Sequence, residues 1–343
     1  FDILNIMQNI GIFLLFFFLL PNPRVCQPPG LNFMKYYEYP QVGVLKFAVF
    51  LKTKKGFCTG VLLSDSWVLT AAHCVVQDER TAGDTEVIVK AGFIDKMDIS
   101  GRSQERISSE VVVYPDFKEK MISKFDIALI KVGEPFNLTS DSVGTVRIAN
   151  QTWPLDLNFF RTCVGFGFGN IPPADRSVPP GENQMRLKMW TASAVHNKAA
   201  CPCTKKFHWK RLICLKETDA IELCQGDGGG GLVCFEGPNP FEGGKHKDAA
   251  QKAELYGIAH MTMDKYMCMV TREPTPGCAK IPTISTYMYL CPFDSWLATY
   301  VPSVPINTIS CKGSKLLDAI ETTVFMAFLN LQYFCLIYSI CVG

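Results

Sequence analysis

The stretch Cys224-Gln225-Gly226-Asp227-Gly228-Gly229-Gly230-Gly231-Leu232-Val233-Cys234 decides how this chain is read. Its glycines permit backbone angles that other residues avoid, so the segment reads as a tight turn. A cysteine closes each end, and Asp227 is the only carboxylate inside. Gly228 has no side chain and brings no hydroxyl to the centre of the turn. The apolar residues that follow open a short strand, Leu232–Phe235.

Around this turn the chain has the means to bury a large core. It has 343 residues, a hydrophobic fraction of 48% and a net charge of +2 from 34 basic and 32 acidic residues. That balance points to a folded protein and gives no reason to expect a nucleic-acid partner. Fifteen cysteines fit neither a paired CxxC framework nor a C…H zinc spacing. Cys201 and Cys203 form a lone CxC, which is a weak metal signal, and no metal site or cofactor is expected. Disulfide bonding in an oxidising, secretory compartment accounts for them. Two sequons, at Asn137 and Asn150, agree with glycosylation of a secreted protein.

The chain divides by composition. Residues 1–23 contain Ile10–Leu20 (IGIFLLFFFLL), which suits the apolar region of a signal peptide or else a buried strand or helix. Residues 24–38 read as a linker. From Tyr39 the texture is β-rich, in short apolar or alternating runs broken by turn residues. These are Val42–Leu51, Trp67–Thr70, Glu86–Ala91, Ile107–Val113, Asp126–Val132, Thr162–Phe166, Met185–Val195, Leu232–Phe235 and Glu254–Ala259. Helical periodicity is confined to Pro292–Val301. Many short strands in two halves argue for an all-β sandwich or a pair of barrels over residues 39–301. Pro172–Gly181 and Phe235–Gln251 read as loop insertions. Residues 302–343 form an extension. Its uncharged stretch 324–342 reads as a minimal membrane span, as a removable glycolipid-anchor signal, or as an additional apolar helix.

Three segments in order carry a family resemblance: Thr70-Ala71-Ala72-His73-Cys74, Phe125-Asp126-Ile127-Ala128-Leu129, and the glycine-rich turn. Together they resemble the His, Asp and Ser segments of the chymotrypsin/trypsin-like serine proteases, whose third segment is usually written GDSGGP. The resemblance implies an all-β fold of two six-stranded antiparallel β-barrels with a short C-terminal helix. It puts His73 at the general-base position, Asp126 at the position that orients the base, and Gly228 where the family carries its serine. A serine hydroxyl is a weak nucleophile until an imidazole takes its proton, and the carboxylate holds that imidazole in the right tautomer. At Gly228 there is no hydroxyl to activate.

The same resemblance implies disulfides Cys58–Cys74, Cys163–Cys234, Cys201–Cys214 (Cys203 as second choice) and Cys224–Cys278 (Cys268 as rival). Cys26, Cys203, Cys268, Cys291, Cys311, Cys335 and Cys341 receive no assignment from it.

Departures from the family accompany Gly228. Active members are cut to give an Ile-Val-Gly-Gly terminus that pairs with the aspartate before the serine. That motif is absent before Tyr39-Pro40, so Asp227 needs another partner. The strand usually reading Ser-Trp-Gly is His260-Met261-Thr262, and His260 is expected to hydrogen-bond Asp126. In the specificity pocket the resemblance puts Glu222 in the place of the aspartate of trypsin-like members, the alternative being an ordinary surface-loop carboxylate, while Thr262 and Thr283 narrow walls that are often glycine. The segment from Met261 to Cys278, with Met261, Met263, Met267 and Met269, is read as an unusually long loop.

These features are similar to the non-catalytic serine protease homologues of arthropods, where glycine often replaces the serine. The expected function is that of a secreted, non-catalytic homologue acting by protein binding. Its partners would be extracellular proteins, active proteases or zymogens among them, and its role that of a cofactor or decoy in a protease cascade. The alternatives are a serine-type endopeptidase by fold with at most trace activity, and a membrane-anchored surface protein of the same fold.

Overall fold

Twelve short strands close into two barrels of six. The computed structural model describes residues 37–76, 86–95, 101–118, 125–154, 156, 158–170, 185–201, 208–216, 223–244, 249–264 and 283–306. The first barrel contains β1 (Ala48–Thr53), β2 (Gly56–Leu62), β3 (Trp67–Thr70), β4 (Ile88–Ala91), β5 (Gln104–Val113) and β6 (Ala128–Val132). Its closed order is β1-β2-β3-β6-β5-β4. The second contains β7 (Arg161–Gly167), β8 (Lys188–Val195), β9 (Leu212–Leu215), β10 (Gly231–Cys234), β11 (Glu254–Asp264) and β12 (Thr283–Tyr289). It closes in the matching order β10-β11-β12-β9-β8-β7, and every pairing in both barrels is antiparallel. Closure removes the free edges that make open sheets prone to pair with other chains.

Most strands fall where the runs of β-branched and aromatic residues lie. Two differ in a way that matters. The run Val42–Leu51 begins as turns, with Gly43 at φ 87°, and enters β1 only at Ala48. Its first residues are buried all the same: Val44, Leu45 and Phe47 belong to the core. Conversely, β11 does not stop at Ala259 but continues to Asp264. The resemblance puts His260-Met261-Thr262 in a strand while the methionine-rich segment from Met261 reads as a loop; the structure keeps both Met261 and Met263 in this strand. The reason is that β12 pairs with β11 all the way, from Gly257↔Tyr289 to Asp264↔Thr283. The ladder skips one residue, since Ala259 faces Tyr287 and Met261 faces Thr286. His260 is that extra residue, and such bulges re-aim a side chain out of the regular pleat.

The barrels share one core. Phe47 meets Phe166 edge-on at 5.4 Å, and Phe50 meets Phe168 at 5.4 Å. Each fully buried aromatic of this kind contributes about 1.5–3 kcal/mol. Helix α1 (Ala72–Val75) is a single turn following β3. Helix α2 (Asp294–Tyr300) follows a short turn, Cys291–Phe293, with Pro292 at its start, where a missing N–H costs nothing. It ties back to the first barrel: Phe293 lies 5.0 Å and Trp296 5.2 Å from the Tyr114 ring, and Tyr300 lies 5.5 Å from Trp67.

Among the described residues the disulfides Cys58–Cys74, Cys163–Cys234 and Cys201–Cys214 pin the barrels. They are the pairs the family resemblance implies, each contributing typically ~2–4 kcal/mol. Cys224 and Cys291 are also disulfide-bonded. Cys291 had no partner assigned from the sequence. The candidate partners of Cys224, Cys278 and Cys268, lie outside the described residues, as do Cys26, Cys203, Cys311, Cys335 and Cys341. So do residues 1–36, the 172–181 insertion and the apolar stretch 324–342. Among the described residues no helix is long and apolar enough to cross a membrane.

Candidate functional site

Pairing of β3 with β6 brings the first two site residues together. Thr70 stands opposite Ala128 in the ladder, so His73, three residues beyond the last residue of β3, sits beside Asp126, two residues before β6. Asp126 is fully buried. Its Oδ1 accepts the backbone N–H of His73 at 2.8 Å, and its Oδ2 lies 2.7 Å from His73 Nδ1. The bulge in β11 delivers a second imidazole, with His260 Nδ1 also 2.7 Å from Oδ2. One carboxylate therefore accepts from both rings, which fixes hydrogen on both Nδ1 atoms. The His73 side chain is 30% exposed, whereas that of His260 is 1% exposed. His260 Nε2 is buried without a hydrogen-bond partner among the described residues.

The electrostatics follow from this geometry. Burial alone pushes the His73 imidazole down, but the charge and hydrogen bond of Asp126 outweigh it and hold the pKa above its ordinary value. Burial pushes Asp126 up, and the two imidazoles overcome that and hold it well below the usual carboxylate range.

The glycine-rich turn lies directly under His73. A Cβ placed on Gly228 would fall 2.6 Å from His73 Nε2, 2.9 Å from its Cε1 and 3.3 Å from Cys74 Sγ. The imidazole thus reaches into the volume a side chain at 228 would use. The turn itself is tied down from both barrels. Thr59 donates its N–H to Gly228 O at 2.9 Å and its hydroxyl to Gly226 O at 2.8 Å, while Gly229 N–H donates to Ala259 O at 2.8 Å. Gly226 (φ 97°) and Gly229 (φ 78°) hold left-handed backbone angles that explain glycine at those positions.

Asp227 points away from His73 into the second barrel. Its Oδ1 accepts Gly169 N–H at 2.9 Å and its Oδ2 accepts Cys224 N–H at 2.9 Å. The remaining partner is Lys188, whose ammonium donates to Asp227 Oδ1 at 2.5 Å and to Gly169 O at 2.9 Å. Both side chains are sealed, at 1% and 0% exposure. Reading the sequence did not single out Lys188. The parity of β8 was the available signal: Trp190, Ala192 and Ala194 are buried on one face, and Lys188 shares it.

Residues 38–287 match the family model described as Trypsin. The chain belongs to the trypsin family. It is 31% identical over 192 residues to the tryptase of Mus musculus, covering 52% of this chain and 63% of that protein. It is 25% identical over 216 residues to mouse kallikrein-1, covering 60% of this chain and 74% of kallikrein-1. With coagulation factor IX of Oryctolagus cuniculus it shares 26% identity over 197 residues, 56% of this chain and 66% of that protein.

Seen as a trypsin-family member, the chain brings together His73, Asp126 and residue 228, the three positions named from the sequence. The pocket residues are less complete. Thr262 is half-buried on β11 opposite Ser285, and the backbone of Thr283 lies in β12 opposite Asp264. Glu222 lies outside the described residues. Asn137 and Asn150 are both exposed, and Asn137 Oδ1 accepts the Thr139 hydroxyl at 2.7 Å within its own sequon. Cys58, His73 and Cys74 cluster at metal-ligand spacing, with ligand atoms within 4.8 Å of one another. The two sulfurs are joined to each other, however, and offer no thiolate.

Proposed function

We propose that this chain is a secreted, non-catalytic member of the trypsin family that acts by binding other extracellular proteins, as a cofactor or decoy in a protease cascade. The observation that carries this reading is Gly228 under His73. The position that would hold the nucleophile has no side chain, and the base occupies part of the empty volume, 2.6 Å from where a Cβ would stand. Removing the nucleophile of a serine protease costs on the order of 10⁶ in turnover. No neighbour in the turn replaces it: Gln225 is not a nucleophile and Cys224 is locked in a disulfide. The partners we propose are proteases or their zymogens, met by the outer surface of an intact two-barrel scaffold. Exposed Asn137 and Asn150 are the proposed glycan sites. Anchoring to a membrane through 324–342 would change the location and leave this role as it is.

The competing reading is a serine-type endopeptidase. It is favoured by the preserved His73–Asp126 hydrogen bond at 2.7 Å. A fluorophosphonate probe separates the two. The wild-type protein is expected to remain unlabelled, and labelling at a rate above that of denatured protein would replace our reading with the enzymatic one. Gly228→Ser is expected to stay unlabelled as well. Its Cβ displaces the imidazole, and a His73 ring that swings out gives up its bond to Asp126. Full labelling of Gly228→Ser would mean that the ring yields freely and that a hydroxyl is all the site lacks.

A further inference from the structure

The buried pair beneath the glycine-rich turn is built by more than its two charges. Side chains alternate across a strand, so Gly165 and Gly167 lie on one face of β7. The ladder sets Gly165 opposite Trp190 and Gly167 opposite Lys188. A Cβ at Gly165 would fall 2.4 Å from Trp190 Nε1. One at Gly167 would fall 2.2 Å from Asp227 Oδ1, and one at Gly169 2.5 Å from Asp227 Cγ. The three glycines clear a slot, and Trp190, Lys188 and Asp227 fill it. The ammonium makes its two hydrogen bonds there and is covered by the rings of Trp190 at 5.3 Å and Tyr37 at 5.7 Å. Tyr37 is held in place because the next residue is stitched to β8: Glu38 N–H donates to Met189 O at 2.8 Å, and Met189 N–H donates to Glu38 O at 2.8 Å. The incoming chain therefore brings an aromatic cover to this slot, and the positive charge comes from β8.

We infer that Lys188 is the internal cation that sets the Cys224–Gly231 turn, so that the turn takes its form in the uncut chain. Asp227 bonds the N–H of Cys224 at one end of the turn and that of Gly169 on β7's extension, and its carboxylate can be buried only if a cation meets it. In the cleaved proteases that the sequence resembles, a freed amino terminus meets the corresponding carboxylate. Here the lysine does so, and the surface presented by the turn exists without a proteolytic step. This holds whether or not the protein is an enzyme. It rests on the slot and on the pair within it, apart from Gly228.

Amide hydrogen exchange on the full chain tests it, with amino-terminal sequencing to verify that residues 24–38 are uncut. In uncut wild-type protein the peptide 224–235 is expected to be as protected as strands β1 and β2. Limited cleavage after Arg24 or Lys35 should leave that protection unchanged. In Lys188→Met the same peptide is expected to exchange about 100-fold faster while β1 and β2 keep their protection. An unprotected turn that orders only after cleavage would overturn the inference, and so would unchanged protection in Lys188→Met. Should that variant fail to fold, amine labelling of native wild-type protein decides. Lys188 should react at least roughly 100-fold more slowly than exposed Lys52 and Lys131. Equal rates would mean that the ammonium is not sealed on Asp227.

Discussion

Two fully buried aspartates organise this molecule, and their surroundings differ. Asp126 sits behind His73 and bonds two imidazoles, one of them 30% exposed. Asp227 sits in the second barrel and bonds an ammonium that is 1% exposed. The first pair can exchange protons with solvent through His73, and its cation is a titrating group. The second is closed on all sides by glycine-cleared walls and aromatic rings, and its cation has nowhere else to go. The contrast separates a site that retains the parts for chemistry from one that holds a backbone in place. It also explains how the glycine-rich turn keeps its form although residue 228 has no side chain: the turn is anchored from below by Asp227.

Breaking each pair in turn should give the largest separation. Lys188→Met leaves the Asp227 charge buried without a cation and is expected to cost about 3–5 kcal/mol. Asp126→Asn can keep its oxygen toward both imidazoles only by turning its NH2 against the His73 backbone N–H, with solvent at hand to compensate His73. Its expected cost is about 1–2 kcal/mol. Urea unfolding of both variants checks the order. A larger loss for Asp126→Asn would reverse the assignment of the two pairs. In the double variant Lys188→Met/Asp227→Asn, part of the loss should return, because the neutral amide no longer carries an unpaired charge while still accepting one N–H.

Adding a single methyl sharpens the same comparison at smaller cost. A Cβ at Gly167 meets the Asp227 carboxylate, which is fixed by its other bonds. Gly167→Ala is therefore expected to destabilise by about 1–3 kcal/mol, the usual range for overpacking a closed core. A Cβ at Gly228 meets the far end of the His73 side chain, which has solvent beside it. Gly228→Ala is expected to cost under about 1 kcal/mol. Equal losses would show that His73 is as rigidly held as Asp227.

What could be read from the sequence divides along the same line. The all-β class was legible because most strands lie in β-branched and aromatic runs between turn residues, whereas the two barrels followed from the family resemblance, and β2, β9 and β12 lie outside the runs read in the sequence. His73, Asp126 and residue 228 were legible because each lies in a short segment of distinctive residues. His260 was legible as a departure: an imidazole where a serine is usual, meeting the same Asp126 oxygen as His73. Lys188 was missed, because a lysine within Met185–Val195 looks like an outward residue of an alternating strand until the strand's parity is fixed by Trp190, Ala192 and Ala194. The extension of β11 was legible through Thr262 only from the family resemblance, for a related reason. Its last residues, Met261–Asp264, have no strand-like composition of their own and are ordered by pairing with β12. Contacts made across a sheet leave little trace in the local run of residues that makes them.

The smallest expected effect is a shift in the titration of His73, and its sign follows from the geometry. Burial lowers the imidazole's affinity for a proton; Asp126 raises it by more, so the folded value lies above the ordinary one of about 6.5. A group with a raised folded pKa stabilises the fold fully below its unfolded value, and the contribution is lost as pH rises through the folded value. Asp126 is shifted the other way, so its contribution is present above about pH 4 and lost as pH falls toward its depressed folded value. The pair accordingly stabilises most between about pH 4 and 6.5. Because His73 is part-exposed, solvent screening keeps the gain modest. A heteronuclear titration of the His73 ring should place its midpoint above the ordinary value in the wild type. In Asp126→Asn the midpoint should fall below it, since burial then acts unopposed. A wild-type midpoint at or below the ordinary value would mean that the Asp126 bond does not hold in solution, and with it would go the distinction between an open, titrating pair and a sealed one.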